Sequence, residues 1–338
     1  MSFSGLNLPN QANGFQLTAF QCLFIIFCLL QLPFQATALP RNLPRGPDKA
    51  GNPVIKGWYA DPEARIYDDK YFIYPTFSAE FDQQTYFEAF SSHDLVTWKN
   101  VGRILDFKDV PWSTNRAAWA PSVGHKNGNY YLYFSAGDGA GIGVAKSENP
   151  EGPFVDVLGK PLIGDVKFGA QPIDAQIFID DDGRNYLYYG GWSHCVAVEL
   201  DDDMVSFKGD FVEVTPPDYT EGSWMLKRDG IYYFMYSVGG WTDNTYGVSY
   251  VTAKSPLGPF NGPAKKILSG DPNIGTGTGH HSVFNVGDDY YITYHRRFPN
   301  DSARDHRSVC IDRMYFNDDG EIEVVRITTE GVDKRVLE

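Results

Sequence analysis

An all-β, five-bladed β-propeller is the fold class this sequence predicts. Three observations carry it. A short aromatic strand recurs five times, a turn signal precedes each recurrence, and aromatic residues make up 15% of the chain within a hydrophobic content of 42%. Aromatics suit both strands and the stacked faces between sheets.

The recurring strands are Lys70-Tyr71-Phe72-Ile73-Tyr74, Tyr130-Tyr131-Leu132-Tyr133-Phe134, Asn185-Tyr186-Leu187-Tyr188-Tyr189, Ile231-Tyr232-Tyr233-Phe234-Met235 and Tyr290-Tyr291-Ile292-Thr293-Tyr294. Aligned on Tyr71, Tyr131, Tyr186, Tyr233 and Tyr291, they are spaced by 60, 55, 47 and 58 residues. Asp68-Asp69, Asn127-Gly128, Asp182-Gly183, Asp229-Gly230 and Asp288-Asp289 precede them. Such pairs tolerate the positive φ of a tight hairpin. A period near 50 residues made of short strands predicts one antiparallel sheet per repeat.

Ten to twelve residues ahead of the aligned tyrosines lie Asp61, Pro121, Asp174, Glu221 and His280. In a propeller the first strand of each blade lines the central channel. Equivalent positions therefore converge, and three carboxylates and an imidazole are expected to meet at one mouth of it.

In chain order, residues 1–38 carry no charged side chain, and Phe20 to Leu32 is almost continuously apolar before Ala36-Thr37-Ala38. This reads as a secretory signal peptide with a small-x-small cleavage site, with a signal anchor as the alternative. Residues 39–55, with four prolines, read as a linker or strap. Residues 56–338 form the propeller domain. A second recurring patch follows the first four aromatic strands and places Trp98, Phe154, Phe207 and Phe260 between blades. Asp180-Asp181-Asp182-Gly183 reads as a solvated hairpin turn. Beyond the leader, the cysteines are Cys195 and Cys310. A disulfide and two buried thiols both remain open.

The formal net charge of −14 and the lack of a basic run exclude nucleic acid as a partner. An acidic surface suits neutral substrates, and aromatic faces suit sugar rings. No stable membrane association is expected once the leader is removed. Asn300-Asp301-Ser302 is a glycosylation sequon in a polar loop.

Two carboxyl groups across a pocket are what glycoside hydrolysis requires: one protonated to meet the leaving oxygen, one ionised to activate water. Glu221, on a strand with Trp224 and Met225, suits the acid, because an apolar setting raises a carboxyl pKa. Asp61, restricted by Pro62, suits the base. Asp174 is the third carboxylate, whose charge would hold the proton on Glu221.

Five ordered motifs strengthen this reading: Tyr59-Ala60-Asp61-Pro62, Trp119-Ala120-Pro121, Ile173-Asp174-Ala175, Glu221-Gly222-Ser223 and Gly277-Thr278-Gly279-His280. In this order the chain resembles glycoside hydrolase family 43 over about residues 52–330. The resemblance implies a five-bladed propeller and an inverting mechanism. It implies Asp61 as general base, Asp174 as pKa modulator and orienter, and Glu221 as general acid. It also implies that His280 is a central-channel histidine beside a calcium ion, although His281 stands where many members have Asn. Arg307 matches the family's substrate-contacting arginine, with Arg296 a second candidate. Trp58, Trp119 and Trp224 are candidate pocket walls, of which no more than one is expected to stack on sugar. The activity implied is that of a secreted exo-glycosidase removing α-L-arabinofuranosyl residues from arabinan or arabinoxylan, with β-D-xylosidase or endo-arabinanase as alternatives. A non-catalytic carbohydrate-binding propeller is the reading from another class. It predicts the loss of a carboxylate, and all three are present.

Overall fold

A computed structural model describes residues 48–337. The predicted leader, residues 1–38, lies outside the described residues, as does most of the strap. The fold is a five-bladed propeller built from five antiparallel sheets. Blade 1 comprises β1 (Tyr59–Tyr67), β2 (Lys70–Phe77), β3 (Tyr86–Ser92) and β4 (Trp98–Asp106). Blade 2 comprises β5 (Trp119–Lys126), β6 (Asn129–Ala136), β7 (Gly141–Ser147) and β8 (Val155–Asp156). Blade 3 comprises β9 (Gln176–Ile179), β10 (Asn185–Tyr189), β11 (Val196–Leu200) and β12 (Val212–Glu213). Blade 4 comprises β13 (Glu221–Arg228), β14 (Ile231–Val238), β15 (Gly247–Ala253) and β16 (Lys265–Ser269). Blade 5 has three strands, β17 (Thr276–Val286), β18 (Asp289–Arg297) and β19 (Ser308–Met314).

The first two strands of each blade form the hairpins the turn pairs predict. Asp68-Asp69, Asn127-Gly128 and Asp229-Gly230 all have positive φ at both residues. In the last blade the turn is Gly287-Asp288, one residue earlier than expected, because Gly287 takes the left-handed position at φ 60°.

The hydrophobic core is split between the blades rather than gathered at one centre. Phe72, Phe87 and Leu132 pack between blades 1 and 2. Tyr133, Ile177 and Leu187 pack between blades 2 and 3. Tyr188, Phe234 and Phe260 pack between blades 3 and 4, and Tyr233, Ile292 and Tyr294 between blades 4 and 5. The last interface, between blades 5 and 1, holds Tyr71, Tyr291 and Val309 together with Val54 and Ile55 of the strap. Phe207 departs from expectation. It is 37% exposed and sits edge-on to Phe211 instead of between blades. Asp180 is likewise buried, not solvated, and its carboxylate accepts from Lys227 Nζ and Tyr232 OH, each at 2.5 Å.

The ring is closed by the segment before β1. Val54 N–H donates to Val309 O at 2.9 Å along β19. Buried Asn52 donates from Nδ2 to Ile311 O at 3.1 Å and accepts from Ile311 N–H at 2.9 Å. Cys195 and Cys310 are free, buried thiols on blades 3 and 5.

Candidate active site

The site is built from one local irregularity repeated around the channel. Strand pairing skips between Ala60 and Glu63 in β1, Trp119 and Ser122 in β5, and Glu221 and Trp224 in β13, and again around Gly279 in β17. At the same place in every blade one residue is left-handed: Asp61 at φ 48°, Ala120 at 45°, Asp174 at 57°, Gly222 at 63° and His280 at 40°. That conformation costs a non-glycine residue about 1–2 kcal/mol, so it persists only where neighbours enforce it.

This register corrects the sequence alignment. Asp61, Ala120, Asp174, Gly222 and His280 are the true equivalents. Glu221 sits one residue earlier, at the position that Ala60, Trp119, Ile173 and Gly279 take in the other blades. On β2 the equivalent of Tyr131 is Phe72, not Tyr71. Phe72 faces blade 2, as Tyr131 faces blade 3, whereas Tyr71 packs toward blade 5. Side chains alternate along a strand, so a one-residue slip changes the face. The adjacent aromatics Tyr71 and Phe72 concealed that slip.

What enforces the bulges is the preceding blade. Thr76 Oγ1 accepts from Ala120 N–H at 2.8 Å, Ser135 Oγ from Asp174 N–H at 2.8 Å and Ser237 Oγ from His280 N–H at 2.9 Å. His295 Nδ1 accepts from Asp61 N–H at 3.1 Å, which closes the circle. Blade 3 offers Gly190 at the corresponding place, where a Cβ would collide with His194 O. With no side chain there, Gly222 N–H donates to the Asp174 carboxylate instead. The missing side chain of Gly190 thus brings Asp174 beside the strand that carries Glu221.

The three carboxyl groups have different electrostatic surroundings. Asp61 Oδ1 lies 3.3 Å from each of Arg307 Nη1, His280 Nδ1 and His295 Nδ1. Burial acts to raise its pKa, but the Arg307 guanidinium foremost, followed by His280, outweighs burial and holds it well below the usual carboxylate range. Arg307 is itself braced by Ser78, whose Oγ accepts from Nε at 3.0 Å. Glu221 accepts from Tyr246 OH at 2.8 Å. Burial pushes its carboxyl up to about 7 against that hydrogen bond, and the Asp61 charge adds to the rise. Asp174 is raised well above its ordinary value by burial, then by Glu221 and Asp61. Asp174 and Glu221 therefore titrate as a pair. This bears on the expectation of an ionised Asp174: Arg307 favours the ionised form of Asp61, whereas burial and mutual repulsion favour the protonated forms of Glu221 and Asp174. His295 is pushed down to about 3 by burial and is neutral.

These groups open into a pocket of about 200 Å³ lined by Phe81, Trp119, Trp192, Trp241 and Arg307 together with the three carboxyls and His280. Of the predicted tryptophans only Trp119 lines it, with its Nε1 donating to Gln84 Oε1 at 2.5 Å. Trp58 stacks on His306, ring centroids 4.3 Å apart, outside the pocket lining. Trp224 is buried deeper in the channel under the Arg65 guanidinium, 4.7 Å from its centroid. Arg296 is 1% exposed and donates from Nη2 to Asn52 O at 3.1 Å, so it serves ring closure and leaves the list of pocket arginines. Sequence reasoning missed Tyr246, His295, Trp192 and Trp241. Tyr246 reaches Glu221 because Gly279 has no Cβ to block its ring. The signal in the sequence was the Gly277-x-Gly279 pair, whose partner lies more than thirty residues upstream.

Below the carboxyls is a cavity of about 20 Å³ lined by Asp61, Asp174, Gln176, His280 and His281 among others. Among the described residues no three His, Cys, Asp or Glu side chains are grouped to hold a metal. Both nitrogens of His281 are buried without a partner, and burial lowers its pKa to about 3. This set of imidazoles and already engaged carboxylates does not match the roughly six to eight oxygens that calcium takes.

An all-β propeller that sets a carboxyl of lowered pKa and one of raised pKa in a single aromatic-walled pocket has the parts a carbohydrate-active hydrolase needs. The comparisons narrow that class. The sequence profile of Glycosyl hydrolases family 43 matches residues 50–322, and the chain belongs to that family. It is 63% identical over 301 residues to a β-D-galactofuranosidase of Aspergillus niger, covering 86% of this chain and 88% of the relative. It is 30% identical over 334 residues to a xylosidase/arabinosidase of Humicola insolens, covering 80% and 98%. Among solved structures, a thermostable family-43 glycoside hydrolase superposes with a TM-score of 0.72 at 30% identity, over 85% of this chain and 99% of that one.

Proposed function

We propose that this chain is a secreted, exo-acting, inverting glycofuranosidase that removes terminal β-D-galactofuranosyl and α-L-arabinofuranosyl residues from polysaccharides. The observation that carries the proposal is the 63% identity to a β-D-galactofuranosidase across nearly the whole domain. The arabinofuranoside expectation is compatible with it on chemical grounds. The two sugars share the same configuration around the furanose ring. They differ in the exocyclic tail, hydroxymethyl in one and dihydroxyethyl in the other. A second reading, β-D-xylosidase, is favoured by the relatives named xylosidase/arabinosidase at about 30% identity.

In the proposed reaction Asp61 takes a proton from water as its oxygen attacks the anomeric carbon. Glu221 gives its proton to the departing glycosidic oxygen as that bond breaks on the opposite face, which inverts the anomeric centre. Tyr246 orients Glu221. Arg307 keeps Asp61 ionised and placed. Asp174, buried beside Glu221, favours the protonated form of the acid, so that the proton is available when the glycosidic bond breaks. No step is assigned to a metal.

Turnover of nitrophenyl β-D-galactofuranoside, α-L-arabinofuranoside and β-D-xyloside, with the product anomer followed by NMR, tests the reading. Galactofuranoside and arabinofuranoside turnover with inversion is the expected result. Xyloside turnover alone would replace the leading reading by the second, and retention would remove Asp61 as base.

A further inference from the structure

Two buried arginines end β18, and the reaction uses neither. We infer that Arg297 is a positioning residue that clamps two loops of the pocket rim, and that this clamp keeps the pocket blind and the cleavage terminal. The inference rests on the glycosidase reading above.

Arg297 is 3% exposed, and its guanidinium bonds to backbone carbonyls. Nη2 donates to Trp241 O at 2.8 Å and to Arg304 O at 2.9 Å, while Nε donates to Ala303 O at 3.2 Å. The first carbonyl belongs to the loop after β14, the other two to the loop after β18. Both loops supply pocket walls. The Trp241 ring packs on the Arg307 guanidinium, 5.1 Å from its centroid. The Arg304 guanidinium covers Phe81 at 4.7 Å and donates to Glu80 at 2.8 Å. Phe81 in turn meets Trp119 edge-on at 4.8 Å. One side chain therefore joins the Trp241–Arg307 wall to the Phe81–Trp119 wall. Burying a guanidinium is costly unless its donors are met, and here both loops must stay in place to meet them. Gly277, at φ 59°, leaves the room, since a Cβ there would collide with Arg297 Nη1.

Arg297→Lys keeps the charge but loses the planar fork that spans separate acceptors. Its KM and kcat are to be measured on whichever nitrophenyl glycoside the native enzyme turns over fastest, and its products on a short linear oligosaccharide. KM is expected to rise so that kcat/KM falls about 10- to 100-fold, with kcat changing less. Internal bonds of the oligosaccharide should become cleavable, and adding Trp241→Ala should cause little further loss. Native KM with strictly terminal release, or effects that multiply in the double variant, would overturn the inference. Should Arg297→Lys not fold, Arg304→Met removes the guanidinium that covers Phe81 and bonds Glu80 and Asp305, and leaves the Arg297 bonds to backbone carbonyls in place. It is expected to raise KM by a smaller factor, and an unchanged KM counts against the clamp. A native enzyme inactive on furanosides defeats the substrate reading, while the clamp is still scored on the glycoside it does hydrolyse.

Discussion

The two ends of the central channel are built from the same strands and do opposite things with charge. Asp61 and Arg65 stand four residues apart on β1. At the far end every charge is met. Glu63 accepts from Arg65 Nε at 2.8 Å and from Val123 N–H at 2.7 Å. Arg65 donates from Nη2 to Ile177 O at 3.1 Å while lying over Trp224. A single side chain thereby touches blades 3 and 4 and, through Glu63, blade 2. Around it, three more first strands reach the next: Ser122 Oγ accepts from Ile177 N–H at 3.0 Å, Gln176 Oε1 from Met225 N–H at 3.1 Å and Ser282 Oγ from Ala64 N–H at 2.8 Å. At the mouth, by contrast, three carboxyls crowd together, two of them on left-handed residues, Asp61 and Asp174, and the third, on Glu221, just before left-handed Gly222. The satisfied end holds the blades so that the strained end cannot relax. The difference teaches that one repeat supplies both the scaffold and the chemistry, divided by the bulge between them.

The sharpest way to break this comparison is at the mouth. Glu221→Gln and Asp61→Asn should each lower kcat by about 10²–10⁴-fold, the range for losing a positioned acid or base, with the melting temperature held. For Glu221→Gln the loss should be greater on an alkyl glycoside than on a nitrophenyl glycoside, which needs less help in leaving. Equal loss on both substrates would remove Glu221 as the acid.

At the far end the outcome should reverse. Arg65→Met leaves Glu63 buried with its partner gone and is expected to cost about 3 kcal/mol of stability, the low end for a broken buried pair because Arg65 is partly exposed. The folded enzyme should keep its kcat. Denaturant unfolding and steady-state assay on the same sample check both halves. A large kcat loss in folded protein would show that the two ends are not separable.

Gly190→Ala probes the junction where the repeat is broken. The added methyl must displace His194 O and with it the Asp174–Gly222 contact. A loss of about 100-fold in kcat/KM is expected from misplacement alone, with a smaller effect for Gly183→Ala at an exposed turn.

The smallest expected effect is a pH shift. Activity should fall as pH rises through the neutral range, because Glu221, raised to about 7, then loses its proton. Asp61 stays ionised well below the usual carboxylate range, so the acid side of the profile should remain flat through pH 5. Tyr246 OH stabilises the ionised Glu221. Tyr246→Phe should therefore raise that pKa and move the basic limb to higher pH, as read from the pH dependence of kcat/KM. A shift to lower pH would mean that Tyr246 acts only by positioning.

Much of the fold was legible in the sequence because each blade carries the same local pattern, an aromatic second strand behind a tight turn. Asp61, Asp174 and His280 could be brought together from that pattern alone, since equivalent positions in a propeller must converge. Glu221 was legible only approximately. Its blade differs by one residue at the bulge, and counting from the tyrosines does not reveal on which side of the bulge a residue falls. Trp58, Trp224 and Arg296 were misplaced for a related reason: their positions near the site in sequence do not say which face of a blade they occupy.

Sequence by itself thus determined the five-fold repeat, its hairpins and the acids near the channel, since these are set by turn chemistry and by an alternation that repeats locally. Tertiary structure alone decided how the surroundings of the three carboxyls differ, which tryptophans reach the pocket, and that Tyr246 meets Glu221 and His295 meets Asp61. Those outcomes depend on contacts across blade boundaries, such as His295 with Asp61 over 234 residues. Their physical basis is burial and charge at points that meet only when the ring closes, and no short stretch of the chain contains both partners.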